Sequence, residues 1–226
     1  MLVIKIIIGV LFQAFLFGIV FLPIAGGYWF EAYFFICLHV AIAIPYGIYS
    51  AVYFPKGMEA RMVMNSENQS KKDKIILASI ASIMLLGTLL IPTDVFYLEV
   101  FEKANPSFQI LGLIIYLIGF VVVAKAQNQN DFIEPVVEIQ TDRGHKIIDS
   151  GLYAYVRHPM YSGFLLFFLG MALWLGSIFS ALFLTITLFL LLAYRIQSEE
   201  ETLQNEFDEY MGYKEKVKAK LIPGIF

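Results

Sequence analysis

An all-α, polytopic membrane helix bundle of about six transmembrane segments is the fold class this sequence predicts. Three observations predict it. Of 226 residues, 59% are hydrophobic and only 15% charged, and the mean hydropathy is +0.72. Such a chain has too little polar surface to cover a globule in water, and a bilayer resolves this. The apolar residues also gather into charge-free runs of spanning length. Finally, the basic residues collect in alternate connections between those runs.

A spanning helix needs about 20 apolar residues. Residues 1–54 carry only Lys5 and Glu31 as charges. Pro23, Gly26 and Gly27 interrupt them, which predicts helices over 2–22 and 32–54. The first reads as a retained span and not a cleaved signal peptide, because it is long and Lys5 is its only basic residue. The next run, 75–93, ends at Pro92 and Asp94. The run 104–124 places Pro106 in a first helical turn, where a missing amide hydrogen costs nothing. The run 161–194 holds no charge; it is too long for one span and short for two. Gly176 and Ser177 near its middle predict a tight helical hairpin.

Charge placement orients these spans. The connection 55–74 carries Lys56, Arg61, Lys71, Lys72 and Lys74, and the segments after the fourth and sixth spans are basic as well. With both termini inside, every one of the 16 Lys and Arg except Lys103 falls on the cytosolic side, as the positive-inside rule asks. A net charge of −3 gives no support for a nucleic-acid partner. The lone Cys37 excludes an internal disulfide framework and a cysteine-rich metal site. His39, inside the second span, reads as hydrogen-bonded within the bundle, and no metal ligand set is predicted.

Two segments read as water-facing. Residues 127–157 are polar, with turn signals at Glu134-Pro135 and Asp142-Arg143-Gly144. Residues 195–220 read as one helix whose stripe Leu203, Phe207, Tyr210, Lys214 and Val217 would lie on the membrane or cap the protein, ended by Pro223-Gly224. The chain thus divides into N-terminal transmembrane helices, 1–125, and a second region, 126–226, of connector, hairpin and C-terminal helix.

The polar clusters converge at the cytosolic ends of the fourth span and the hairpin. One runs from His145 to Tyr161; the other is Arg195 with Glu199, Glu200 and Glu201. A charge-free hairpin brings its own two ends together, so Arg157, His158, Arg195 and Glu199 meet at the membrane surface. Pro159 suits a first helical turn, which puts His158 at a helix N-terminus, where backbone amides point at an anion or carbonyl. Arg195 offers a planar fork for a carboxylate or phosphate. Glu199 offers an acceptor for an ammonium or for ribose hydroxyls. Each also has an ordinary interpretation. Arg157 and Arg195 would snorkel to lipid phosphates, Arg195–Glu199 would be a surface pair, and the acidic run would be a solvated helix face.

The string from Gly151 through Arg157-His158-Pro159-Met160-Tyr161 to Gly163 closely resembles the hallmark of the isoprenylcysteine carboxyl methyltransferases and their phospholipid methyltransferase relatives. A His-led segment, this string, a hairpin, then Arg195 with acids, and a tail with Tyr210, Tyr213, Val217 and Ile222-Pro223 follow in the family's order over about 138–226. The resemblance implies a cytosolic pocket for S-adenosylmethionine. His145, Lys146, Ile147, Ile148 and Tyr153 would contact the cofactor, as would His158, Pro159, Met160, Tyr161 and Glu199. Arg195 would face the methyl acceptor as the catalytic and substrate-binding residue. The family carries a Gln seven residues before its His, where this chain has Glu138 with Gln140 nearby, and Asp149 replaces a small hydroxyl residue.

The implied chemistry is in-line displacement from a sulfonium, in which the protein positions the reactants and excludes water. A carboxylate acceptor of isoprenylcysteine type, oriented by Arg195, needs no base. An amine acceptor (phospholipid N-methylation) or a thiol would need His158, Glu199 or Tyr161 as one. The acceptor would be a lipophilic or lipidated molecule entering among membrane lipids. Two other functions compete: an NADPH-dependent sterol-type reductase with a similar Arg-His-Pro string, and a non-catalytic scaffold or transporter. The acidic run after Arg195 favours methyl transfer over the first. Spans without charges to mark an ion or substrate pathway give no support for the second.

Overall fold

The computed structural model describes residues 1–62, 71–133, 144 and 146–226. Among the described residues every regular element is helical. In chain order these are α1 (Leu2–Ile24), α2 (Phe30–Tyr53), α3 (Pro55–Met62), α4 (Lys71–Thr93), α5 (Pro106–Gln129), α6 (Pro159–Trp174), α7 (Ile178–Glu206) and α8 (Tyr210–Lys216). Five of them, α1, α2, α4, α5 and α7, are long and apolar enough to cross a membrane. The outer face of α1 leaves Ile4, Ile8, Leu11, Phe15 and Ile19 exposed, a surface that lipid covers and water would not. The polytopic all-α bundle expected from composition is the architecture found.

The hairpin sits where it was expected, but its arms are unequal. Helix α6 has 16 residues and α7 has 29. The short arm needs no full lipid-facing length because it lies between α5 and α7, with Leu165, Phe168, Met171, Ala172 and Trp174 buried. At about 1.5 Å per residue α7 is about 44 Å long, well beyond a hydrocarbon core of about 30 Å. Its last turns therefore stand clear of the apolar run and carry Arg195, Glu199 and Glu200. Between the arms, Gly176 adopts φ +96°, and the Ser177 side chain caps α7 by accepting from Ser180 N at 2.9 Å.

Helices α5 and α6 pack backbone to backbone through glycines on both. A methyl group on Gly119 would lie 2.5 Å from the Phe167 backbone nitrogen, and one on Gly170 would collide with Tyr116 N. Small residues at such a seam let two helices approach closely where the surrounding solvent is apolar. The seam fixes the depth of α6, and with it the position of His158 and Tyr161 at its start.

At the opposite end, Lys103 pairs with Glu31 at 2.8 Å and Trp174 Nε1 donates to Glu31 O at 2.8 Å. This joins the first turn of α2 and the loop before α5 to the end of α6. His39 is held inside the bundle by Tyr116 (Nδ1 to Oη, 2.7 Å) and Gln13 (Nε2 to Oε1, 3.2 Å), as its sequence position suggested.

Three boundaries differ from expectation. Helix α4 ends at Thr93, as expected, but starts earlier, at Lys71, and the backbone after it continues as a π-helical turn over Asp94–Leu98. Helix α5 runs on to Gln129, because Gln127 and Asn128 take side-chain partners on α2, Tyr46 and Ser50. The tail is not one helix. Helix α7 stops at Glu206, α8 covers only Tyr210–Lys216, and the chain from Val217 folds back onto the start of α6.

Candidate active site

His158 is the N-cap of α6 and Pro159 its first residue, so backbone constraint alone places the imidazole at the mouth of the hairpin. The last turns of α7 face it. Tyr161, one turn into α6, donates its hydroxyl to Glu199 Oε2 at 2.8 Å. The same hydroxyl accepts from Arg195 Nε at 2.9 Å. The His158 ring lies nearly parallel to that of Tyr161, at 10° with centroids 5.7 Å apart. His158 Nε2 is 3.2 Å from Glu200 Oε1. A carboxylate only accepts, so this nitrogen carries the proton.

Arg157 and Glu200 were expected at the surface and are interior. They are 5% and 4% exposed, and Arg157 Nε donates to Glu200 Oε1 at 2.7 Å. Buried charges survive only when paired and hydrogen-bonded. Arg157 Nη1 also donates to Val217 O at 2.6 Å and Lys218 O at 2.9 Å. The backbone amides of Arg157 and His158 donate to Ala219 O and Lys220 O. The tail is therefore a strap laid across the start of α6. Tyr210, Tyr213 and Val217 pack with Ile147, Leu203 and Phe207 beneath it. Of the two placements the stripe allowed, it caps the protein.

The snorkelling and surface-pair interpretations of Arg195 are also corrected. It is 3% exposed, it reaches Glu199 through Tyr161, and its Nη1 meets Asp73 Oδ1 at 2.6 Å. Asp73 comes from the first turn of α4, inside a basic run that reads only as an inside-facing loop, so nothing in the sequence marked it.

On the membrane side of Arg195 lies an apolar cavity of about 320 Å³ between α4, α6 and α7. Leu77, Ile80 and Met84 form one wall, Met160, Phe164 and Phe168 a second, and Leu188 and Leu192 a third. Tyr161 and Arg195 close it at one end, and Arg61 and Gln127 also line it.

Of the residues assigned in advance, His158, Tyr161, Arg195 and Glu199 form one connected cluster. Pro159 sets its backbone and Met160 lines the cavity. Tyr153 is buried behind the cluster, where its hydroxyl donates to Ala126 O at 3.4 Å and its carbonyl accepts from the Tyr213 hydroxyl at 2.8 Å. Ile147 joins the capping group, Ile148 is half-buried and Lys146 exposed. His145, Glu138 and Gln140 lie outside the described residues. Among the described residues no group of three or more His, Cys, Asp or Glu side chains could hold a metal ion.

The cluster's donor set fits a cationic, hydroxyl-bearing cofactor such as S-adenosylmethionine. The Glu199 side chain is 28% exposed beside His158, an accessible carboxylate for an ammonium or a ribose diol. Burial pushes the Tyr153, Tyr210 and Tyr213 hydroxyls upward from the usual tyrosine range, so all three stay protonated donors. Two of them have acceptors. The Tyr210 hydroxyl is buried and has none among the described residues. A buried donor without an acceptor is costly, and this hydroxyl lies close enough to Glu200, Arg157 and Glu199 to feel their charges. In the sequence Tyr210 reads only as a member of the tail's stripe and of the family-like tail.

Residues 108–210 match the model of the phospholipid methyltransferase family. The match spans α5 to the start of α8 and holds the whole cluster except Asp73. Curated relatives agree. The chain is similar to the protein-S-isoprenylcysteine O-methyltransferase of Schizosaccharomyces pombe, 33% identical over 131 residues, which is 57% of this chain and 53% of that protein. It is similar to the probable protein-S-isoprenylcysteine O-methyltransferase of Oryza sativa subsp. indica, 34% identical over 114 residues, 49% of this chain and 59% of that one. A third relative is protein-S-isoprenylcysteine O-methyltransferase B of Arabidopsis thaliana, 32% identical over 85 residues, 37% and 43%. The matched part is thus about half the length of these relatives. The likeness to membrane methyltransferases expected from the Arg-His-Pro string is found, and these relatives do not favour the reductase or the scaffold.

Proposed function

We propose that this chain is an integral membrane methyltransferase that moves the methyl group of S-adenosylmethionine to a lipid-borne carboxylate of isoprenylcysteine type, at the cytosolic face. One observation carries this reading: Arg195 belongs at once to the polar cluster and to the apolar cavity. Through Tyr161 it is tied to Glu199, and its own side chain lines a cavity walled mostly by aliphatic and aromatic groups, with Arg61 and Gln127 as further polar members. A reaction between a polar donor and a greasy acceptor needs such a junction.

The residues then have distinct tasks. Glu199, His158 and the Tyr210 hydroxyl hold the cofactor. Bound S-adenosylmethionine supplies a methyl group made electrophilic by its sulfonium. Arg195 binds the acceptor carboxylate through charge-assisted hydrogen bonds. Tyr161 fixes the guanidinium plane, so that the oriented oxygen is presented to the cofactor side of the cluster. A carboxylate is already a nucleophile, and no side chain has to take a proton from it. The capping strap of Tyr210, Tyr213 and Val217 keeps water from the cluster. The basic connection before α4, on the same end as the cluster, supports a cytosolic site.

The test is binding and turnover on the full chain in detergent. S-adenosylmethionine and NADPH are titrated separately into the wild type and Glu199→Ala. A farnesylated cysteine derivative then serves as methyl acceptor for the wild type and Arg195→Ala. The expected result is S-adenosylmethionine binding lost with Glu199 and carboxyl methylation lost with Arg195. NADPH binding without S-adenosylmethionine binding would sink the reading in favour of a reductase.

A further inference from the structure

The Arg195 guanidinium is engaged on two sides. Its Nε donates to the Tyr161 hydroxyl at 2.9 Å, and its Nη1 meets Asp73 Oδ1 at 2.6 Å. Asp73 is 7% exposed and stands in the first turn of α4. It lies one helical turn before Leu77, the first residue that α4 gives to the cavity wall. The Asp73 carboxylate therefore sits on the residue at the polar end of the cavity, where the head group of a lipid-borne acid has to arrive. Two carboxylates on one guanidinium edge repel each other strongly where water is scarce.

We propose that Asp73 is a specificity-determining residue, an internal carboxylate that occupies Arg195 until the acceptor's own carboxylate displaces it. This rests on the reading that the acceptor is a lipid-borne carboxylate. The physical need is plain. Without the direct contact of Asp73, an arginine closing this apolar cavity would be less fully compensated, because Glu199 reaches it only through Tyr161. It would also take up any available anion, phospholipid phosphates included. With Asp73 in place, an incoming anion has to replace an ion pair that is already made. It succeeds only when the apolar chain attached to it gains burial in the cavity at the same time. Head groups whose chains remain in the bilayer lack that second contribution. Selection for a carboxylate on a cavity-filling chain then follows from competition (a form of specificity built against wrong partners). Asp73 lies outside the matched family segment, residues 108–210, so this part of the acceptor site comes from the N-terminal helices.

A purely structural partner of Arg195 would give effects of the opposite sign, and this makes the proposal testable by binding alone. A farnesyl thioether carboxylic acid and its methyl ester are titrated calorimetrically into the full chain in detergent, as wild type, Asp73→Asn and Asp73→Ser. Thermal unfolding of each confirms that it is folded, and Asn keeps the size of Asp. The acid is expected to bind both variants about tenfold more tightly than the wild type. The ester, which has no charge to compete with, is expected to bind all three alike. Acid affinity that is unchanged or reduced in the variants overturns the proposal. So does an equal gain for the ester, which would report a roomier cavity. If no form binds the acid, the proposal falls together with the carboxylate acceptor. If the wild type methylates the acid but its affinity ignores Asp73, the proposal alone falls.

Discussion

Arg157 and Glu200 form a buried ion pair, Nε to Oε1 at 2.7 Å with side chains 3% and 5% exposed, and through it the two ends of the hairpin hold the C-terminal strap. Removing one partner leaves the other as an uncompensated buried charge, which costs about 3–5 kcal/mol. Glu200→Gln is therefore expected to lower the thermal midpoint clearly in detergent. Trypsin should then cleave after Lys218 and Lys220 much faster than in the wild type, because the Arg157 contacts that secure this stretch have lost their anchor. Unchanged stability and cleavage would mean that the strap is held by its apolar contacts alone.

Tyr161→Phe separates cofactor holding from acceptor orientation. The ring stays, with its stacking on His158, but the hydroxyl that joins Arg195 to Glu199 is lost. Hydrogen bonds to charged groups are worth about 1.5–3 kcal/mol. Methyl transfer should thus fall by about 10- to 100-fold, while S-adenosylmethionine affinity changes by only a few-fold. An equal loss in both would place Tyr161 on the cofactor itself.

Tyr210→Phe should act differently on the empty and the loaded protein. The Tyr210 hydroxyl is buried with no acceptor among the described residues. Deleting it is expected to leave the empty protein as stable as the wild type or slightly more so. Cofactor affinity should drop by about five- to tenfold, the value of one lost hydrogen bond. Calorimetric titration and a melting curve on the same sample read both. A lower melting point with unchanged affinity would make this tyrosine a packing residue.

Gly170→Leu tests the seam that sets the depth of α6. A side chain at Gly170 meets the Tyr116 backbone, so the two helices have to separate. Overpacking of a close contact costs about 1–3 kcal/mol. The variant should melt earlier and lose methyl transfer, although Gly170 is far along α6 from His158. A Gly212→Leu control, where nothing lies within 4 Å, should be neutral.

Much of this molecule was legible in its residues taken in order. Spanning helices announce themselves because a bilayer demands long apolar runs with internally satisfied backbones. Pro106 and Pro159 mark helix starts through their missing amide hydrogens, and Gly176-Ser177 marks the hairpin turn. The meeting of Arg157, His158, Arg195 and Glu199 also followed from sequence, since a charge-free hairpin leaves its two ends no other place to be. What only the tertiary structure decided is how each charge is paired. Glu199 and Glu200 are neighbours in an acidic run, yet one stays accessible and the other is sealed against Arg157, because adjacent residues on a helix point about 100° apart. Asp73 reached Arg195 across 122 positions of chain, and Val217 and Lys218 lent carbonyls to Arg157 across 60 and 61. Periodicity reports which face of a helix is greasy. It carries no record of which distant polar group will neutralise a buried charge, and in this protein those pairings shape the site.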